Sequence, residues 1–265
     1  MDTLKFTSIQ SPNADAICAL IAGYVGDSLG LQTVFVDDIP WPERERRLDN
    51  GEVHVGWICG LPYVWKADRP DSQFELLAAP VMQLPRYQDQ PVYFSDVVVR
   101  RDSPYQTFAD LRGTTWAYNE PHSQSGYNIT RFHLAGWGET SGFFGRVIES
   151  GAHQTSLQMI VEGEIDASAI DSTVLETELQ YYPALAEQIR IIETLGPSPI
   201  PPWVIRTELP ADLRTAIRQV FLQMHQNPRG QAILAQGNIA RFVRVNDEFY
   251  DSIREMEKLA NQVQW

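Results

Sequence analysis

Two periods of hydrophobicity take turns along this chain: the alternation of a strand and the three-to-four spacing of a helix. Leu4 to Ile9 alternates, and Ile17, Leu20, Ile21 and Val25 then recur at helical spacing, with Asn13 as the candidate cap and Gly30 as the stop. Leu31 to Val36 reads as the next strand. Pro40-Trp41-Pro42 opens a short charged helix that ends near Asn50-Gly51, and Val53 to Cys59 is an apolar strand leading to Gly60-Leu61-Pro62-Tyr63. Phe74 to Gln83 and Tyr93 to Val99 are further strands, and Phe108 to Leu111 is a helical turn. The β-branched and aromatic run Thr114 to Tyr118 ends at Glu120-Pro121. Past it, Ser123 or Ser125 caps a helix with Ile129, Phe132, Leu134 and Ala135 on its inner side. Strands alternating with helices predict the α/β class.

The pattern then repeats. Gly51-Glu52-Val53-His54-Val55 returns 112 residues later as Gly163-Glu164-Ile165-Asp166-Ala167, each after a helix of similar length and each opening a strand. The same offset carries Ser11 onto Ser123, Trp41 onto His153 and Cys59 onto Asp171. Two similar lobes are therefore expected, one of residues 1–95 plus 200–265 and one of residues 97–197. The proline-rich stretch from Leu195 to Trp203 is too stiff for a helix or a central strand and returns the chain to lobe one. Trp203 to Ile205 then reads as a strand. Helices through Leu213 to Phe221, Ala232 to Ala235 and Phe249 to Val263 are expected on the outside of lobe one. Ligands of α/β sheets lie beyond the carboxyl ends of the strands, which puts the expected site in the cleft between the lobes.

Composition narrows the partners. A chain of 265 residues that is 43% hydrophobic can bury one full core or two smaller ones. A formal charge of −13 and an isoelectric point near 4.8 argue against nucleic acid and anionic membrane surfaces. No apolar run approaches the roughly 20 residues of a membrane span, and Met1 leads straight into a strand pattern without a signal-peptide core. As written, the chain reads as soluble, with no membrane insertion. Cys18 and Cys59 suggest no disulfide framework, the five histidines show no metal-ligand spacing, and glycine-rich nucleotide motifs are absent, so no metal and no cofactor are expected.

One stretch suggests chemistry. Ser123-Gln124-Ser125-Gly126 stands at a helix start, where backbone amides lack acceptors, and Gly126 would let a ligand approach the backbone. That makes an anion site without Lys or Arg; the competing reading is an ordinary N-cap.

Asp110-Leu-Arg-Gly-Thr-Thr-Trp-Ala, Ser123-Gln-Ser-Gly-Tyr127, Gly151-Ala-His153 and Glu162-Gly-Glu-Ile-Asp-Ala167 together resemble the phosphate, phosphite and phosphonate solute-binding proteins of ABC transporters, over nearly the whole chain. The resemblance implies a two-lobed type II periplasmic-binding-protein fold whose lobes are joined by two crossover segments. It implies a monomer that captures a small oxyanion in the cleft by hinge closure, serves an ABC permease and is not an enzyme. It further implies that the hydroxyls and amides of Ser123, Gln124, Ser125 and Gly126 hold the oxyanion, with the imidazole of His153 and aromatic donors near Trp41 and Tyr93. Export to the periplasm is the habit of that family, whereas a native start at Met1 would leave the protein in the cytoplasm.

The residues themselves add to this and depart from it. Trp41 and His153 would each stand at a helix start facing the cleft, one from each lobe. A neutral His153 donates a hydrogen bond and a protonated one adds charge; the bland alternative is a surface helix-cap histidine. Tyr93 can donate from its hydroxyl as the lobes shut, and Tyr63 is the weaker candidate of the same kind. Trp41 puts an indole where the family has a tyrosine-like donor, Gln124 stands where a small hydroxyl is usual, and Thr173 falls where aminoalkylphosphonate binders carry a carboxylate. Asp171 either meets a protonated ligand oxygen or only caps the next helix. Two other classes share the fold: a cytoplasmic lyase using Cys59 and His153 as nucleophile and base, and a ligand sensor.

Overall fold

The computed structural model describes residues 3–265. In chain order its main elements are β1 (Leu4–Ile9), α1 (Asp15–Leu29), β2 (Thr33–Val36), α2 (Trp41–Asp49), β3 (Val55–Ile58), α3 (Gly60–Ala67), β4 (Phe74–Met82) and β5 (Val92–Arg100). There follow β6 (Thr115–Tyr118), α4 (Ile129–Gly136), β7 (Arg146–Glu149), α5 (His153–Glu162), β8 (Ala167–Asp171), α6 (Ser172–Tyr181) and β9 (Ile189–Pro199). The chain closes with β10 (Trp203–Arg206), α7 (Ala211–Gln223), α8 (Pro228–Gln236), β11 (Ile239–Val243) and α9 (Asp251–Ala260). Among the described residues no helix is long and apolar enough to cross a membrane.

The chain divides into two compact units, one running to Val92 and including Pro199–Tyr250, the other Tyr93–Ser198 with Asp251–Trp265. Each has its own sheet, in the order β11-β4-β10-β3-β1-β2 for unit one and β7-β6-β8-β5-β9 for unit two. In unit one β1 runs parallel to β2 and β3, and β10 lies antiparallel to β3. In unit two β6 runs parallel to β7 and β8, and β5 lies antiparallel to β8. The 112-residue repeat explains this likeness. α2 begins at Trp41 and α5 at His153, while β3 begins at Val55 and β8 at Ala167. The last strand of each repeat, β5 or β10, passes into the sheet of the other unit and takes the same antiparallel place beside its third strand.

Alternation along the strands builds the core of unit two. Val97, Val99, Trp116, Ala167 and Ala169 share one face with Phe108, Leu134 and Phe144, while Val98, Ala117 and Ile170 share the other with Leu157, Ile160 and Leu175. A sheet covered on both faces needs apolar residues at both parities, and β8 is accordingly buried throughout. In unit one Trp57 and Trp203 stack at 5.8 Å across neighbouring strands, and Trp203 meets Phe221 edge-on at 5.2 Å.

Two expectations change and one holds. Asn13 is not the cap of α1: it sits in the 3-10 turn Pro12–Ala14, and Ala14 holds the cap position. The proline-rich return is neither helix nor central strand, as expected: β9 extends to Pro199 at the edge of its sheet, where missing amide donors cost no ladder bond. The last helix belongs to unit two rather than to lobe one, so the chain passes between units a third time, after Tyr250. There α9 packs on α4, Arg131 donates to the Val263 carbonyl at 2.9 and 3.1 Å, and Trp265 meets Tyr127 and Phe144. The amphipathic pattern of that helix shows that it has a partner but not which unit supplies it.

Candidate functional site: a hydroxyl and imidazole cluster at a π-helical turn

Strand β6 ends at Tyr118, and the chain re-enters helical geometry through a π-helical turn, Gln124–Asn128, that continues into α4. The Asn128 amide donates to the Ser123 carbonyl at 3.0 Å, a wide i→i−5 closure, and such turns gather at functional positions. By helix geometry the amides at the start of the turn have no acceptor within it. Ser123 supplies one for Gly126, whose amide donates to the Ser123 hydroxyl at 3.0 Å. The N-cap expected of Ser123 is therefore present.

The hydroxyls converge. Ser123 Oγ and Ser125 Oγ lie 3.5 Å apart, and Ser125 Oγ lies 3.1 Å from His153 Nε2. All three residues are buried. His153, the first residue of α5, is no surface cap: its Nδ1 is buried without a hydrogen-bond partner among the described residues. Burial pushes its imidazole down from an ordinary 6.5 to about 4, so near neutrality the ring carries no charge. Of the two forms considered, the neutral donor fits this environment and the protonated one does not.

Gly126 has a reason other than access for a ligand. A Cβ there would come within 2.0 Å of Asn119 Oδ1 and 3.1 Å of His153 Cε1, so the glycine is what lets those side chains close on the turn. Asn119 escaped the sequence reading. Its Oδ1 is buried without a hydrogen-bond partner among the described residues, just past the carboxyl end of β6. Applying the rule that ligands gather at strand carboxyl ends to the residue after β6 would have found it.

Gln124 turns the other way. Its side chain is fully buried, donating to Ser198 Oγ and Met256 Sδ, each at 3.2 Å, and accepting from Asn128 Nδ2 at 2.7 Å. Its side chain is thereby tied to β9, α9 and the turn itself. Asp171 ends β8 and caps α6, its Oδ1 accepting from the Thr173 amide at 2.8 Å and the Thr173 hydroxyl at 2.7 Å. Burial pushes its carboxyl up from 3.8 to about 6, with nearby Asp96 adding to the rise and the Thr173 and Val174 hydrogen bonds opposing it. Strand β8 packs against the π-helical turn, and β5 sets Ser95 opposite Asp171, with buried Tyr93 two residues earlier on the same strand.

Trp41 and Tyr63 belong to unit one. Trp41 opens α2 and is partly buried. Tyr63 is buried, packs on Tyr250 at 4.7 Å, and gives its one proton to Asp247 at 2.6 Å, which leaves its oxygen only as an acceptor. Cys59, the candidate nucleophile, holds the cap position of α3 in unit one.

A family model of the periplasmic substrate-binding proteins of phosphonate ABC transporters matches residues 7–250. The chain belongs to this family. Solved structures agree on the fold of this phosphonate-family binding protein. A binding-protein component of a phosphonate ABC transporter from Pseudomonas aeruginosa matches with a TM-score of 0.85 at 18% identity, over 98% of this chain and 86% of that one. PhnD1 from Prochlorococcus marinus, in complex with methylphosphonate, matches with 0.85 at 17%, over 99% of both. A Xanthomonas citri protein bound to ATP matches with 0.75 at 16%, over 99% of this chain and 98% of that one. The fold is thus the two-lobed α/β fold of type II periplasmic binding proteins, as the resemblance implied. Neighbours with ligands as unlike as methylphosphonate and ATP also show that the fold does not choose the ligand.

Proposed function

We propose that this binding protein captures a small phosphonate-, phosphite- or phosphate-like oxyanion at the Ser123–Gly126 turn and delivers it to an ABC permease. The observation that carries the reading is the Ser123, Ser125 and His153 cluster, built from hydroxyls, an imidazole and helix-start amides. Neutral donors suit an anion that must also be released, since each contributes a moderate hydrogen bond rather than a fixed opposite charge.

The proton arrangement follows from the distances. When Nε2 of neutral His153 donates to Ser125 Oγ, that hydroxyl directs its own proton to the ligand. Ser123 Oγ accepts from the Gly126 amide, which frees its proton in the same way. Two hydroxyl donors, with amides at the start of the turn, then face one side of a tetrahedral oxyanion. Asp171, with its carboxyl near the point of ionisation, accepts from a protonated ligand oxygen and disfavours a fully ionised one. Alkylphosphonate, phosphite and monoprotonated phosphate fit this rule, and Thr173 gives an aminoalkyl group no charge to meet. In this reading the protein works outside the cytoplasm, as its family does.

Calorimetric titration with methylphosphonate, phosphite, phosphate and sulfate tests the proposal. Binding of at least one phosphorus oxyanion in preference to sulfate, lost by tenfold or more in Ser125→Ala, is the expected result. Failure of all three phosphorus anions to bind would overturn it.

A further inference from the structure

Between the two serines that face each other sits a residue tied elsewhere. Gln124 Nε2 bridges Ser198 Oγ and Met256 Sδ, and its Oε1 is taken by Asn128. Both bridged residues lie next to passages of the chain between its units: Ser198 is the last residue before the chain leaves unit two, and Met256 stands on α9, with which the chain re-enters it. Gln124 is fully buried and Ser198 nearly so. A buried amide costs free energy unless its polar atoms are paired, and the bonds to Ser198 and Met256 hold only while turn, β9 and α9 keep their present spacing.

We propose that Gln124 is a positioning residue, which fixes the anion turn against the segments that leave and re-enter unit two and thereby sets how tightly the turn holds its ligand. The inference rests on the reading of the turn as an oxyanion site. Gln124 does not itself reach the ligand with its side chain. Ser123 and Ser125 flank it in sequence, so a backbone shift that carries their hydroxyls toward an anion moves Gln124 in the same step. Cutting its tie lets the hydroxyls drift from the geometry that binding needs.

A double-mutant cycle on the full chain reads this directly, with methylphosphonate and inorganic phosphate as probes and urea unfolding measured in parallel. Gln124→Leu is expected to weaken binding about tenfold and Ser198→Ala about threefold, and the double variant is expected to bind no more weakly than Gln124→Leu alone, because both substitutions remove one tie. A merely structural role would lower unfolding stability and leave the dissociation constant within about twofold of wild type, which overturns the proposal; so would losses that multiply in the double variant. Should Gln124→Leu fail to fold, Ser198→Ala and Met256→Leu loosen the tie from its other end, and unchanged affinity in both overturns it equally. A wild type that binds neither probe refutes the oxyanion reading itself, an outcome distinct from a wild type that binds and a variant that matches it.

Discussion

His153 and Asp171 show how burial sets the charge of a site. The imidazole is held neutral down to about pH 4, and the carboxyl keeps its proton up to about pH 6. A carboxyl raised above its ordinary value contributes stability that is fully present below about pH 4 and lost as pH rises to about 6, because ionisation costs more in the folded chain than in the unfolded one. Asp171→Asn keeps a capping acceptor for α6 and removes the ionisation. That variant should therefore gain on wild type, by on the order of 2 kcal/mol, as pH rises from 4 to 7 in urea unfolding. Its affinity for methylphosphonate should also fall less steeply over the same rise and through the ligand's second ionisation. Parallel pH profiles in both measurements would reduce Asp171 to a helix cap. The sequence showed both residues through the 112-residue offset, but an imidazole buried to neutrality depends on neighbours supplied by other elements, which no local pattern displays.

At the scale of elements, the turn is where local reading succeeded in outline and missed the detail. A hydroxyl, a glycine and an apolar helical stripe announced a capped helix start, and Ser123 caps it. The π-helical closure, the inward Gln124 and the contact of Gly126 with Asn119 and His153 arise from packing against β8, α5 and α9. Gly126→Ala separates the two readings of that glycine. The added methyl group must displace Asn119, so affinity for methylphosphonate should drop by about tenfold, while the gain in helix propensity keeps unfolding stability within roughly 1 kcal/mol of wild type. Unchanged affinity, measured by calorimetry, would mean that the close packing at Gly126 plays no part in binding. The misplaced α9 teaches the same lesson: its apolar stripe was legible, and its partner α4 was not, because amphipathicity names a face and not the surface that covers it.

For the whole molecule, periodicity carried furthest. The repeat predicted two sheets of one plan, and β5 and β10 occupy the same antiparallel position in sheets with corresponding strand order. Fold and family were legible because they rest on strand-helix order and on a few spaced motifs, from Asp110 to Ala167. Ligand choice rests on hydrogen-bond directions within one turn, and sequence carries those only indirectly. In the proposed site neutral donors of this turn hold the oxyanion, and a crystal structure of the protein grown with methylphosphonate would reveal its contacts. The expected result is phosphonate oxygens about 2.7–3.2 Å from Ser123 Oγ, Ser125 Oγ and amides of the turn, with no guanidinium or ammonium group on the phosphonate. A phosphonate held by arginine or lysine, or seated elsewhere with these hydroxyls left bare, would contradict it.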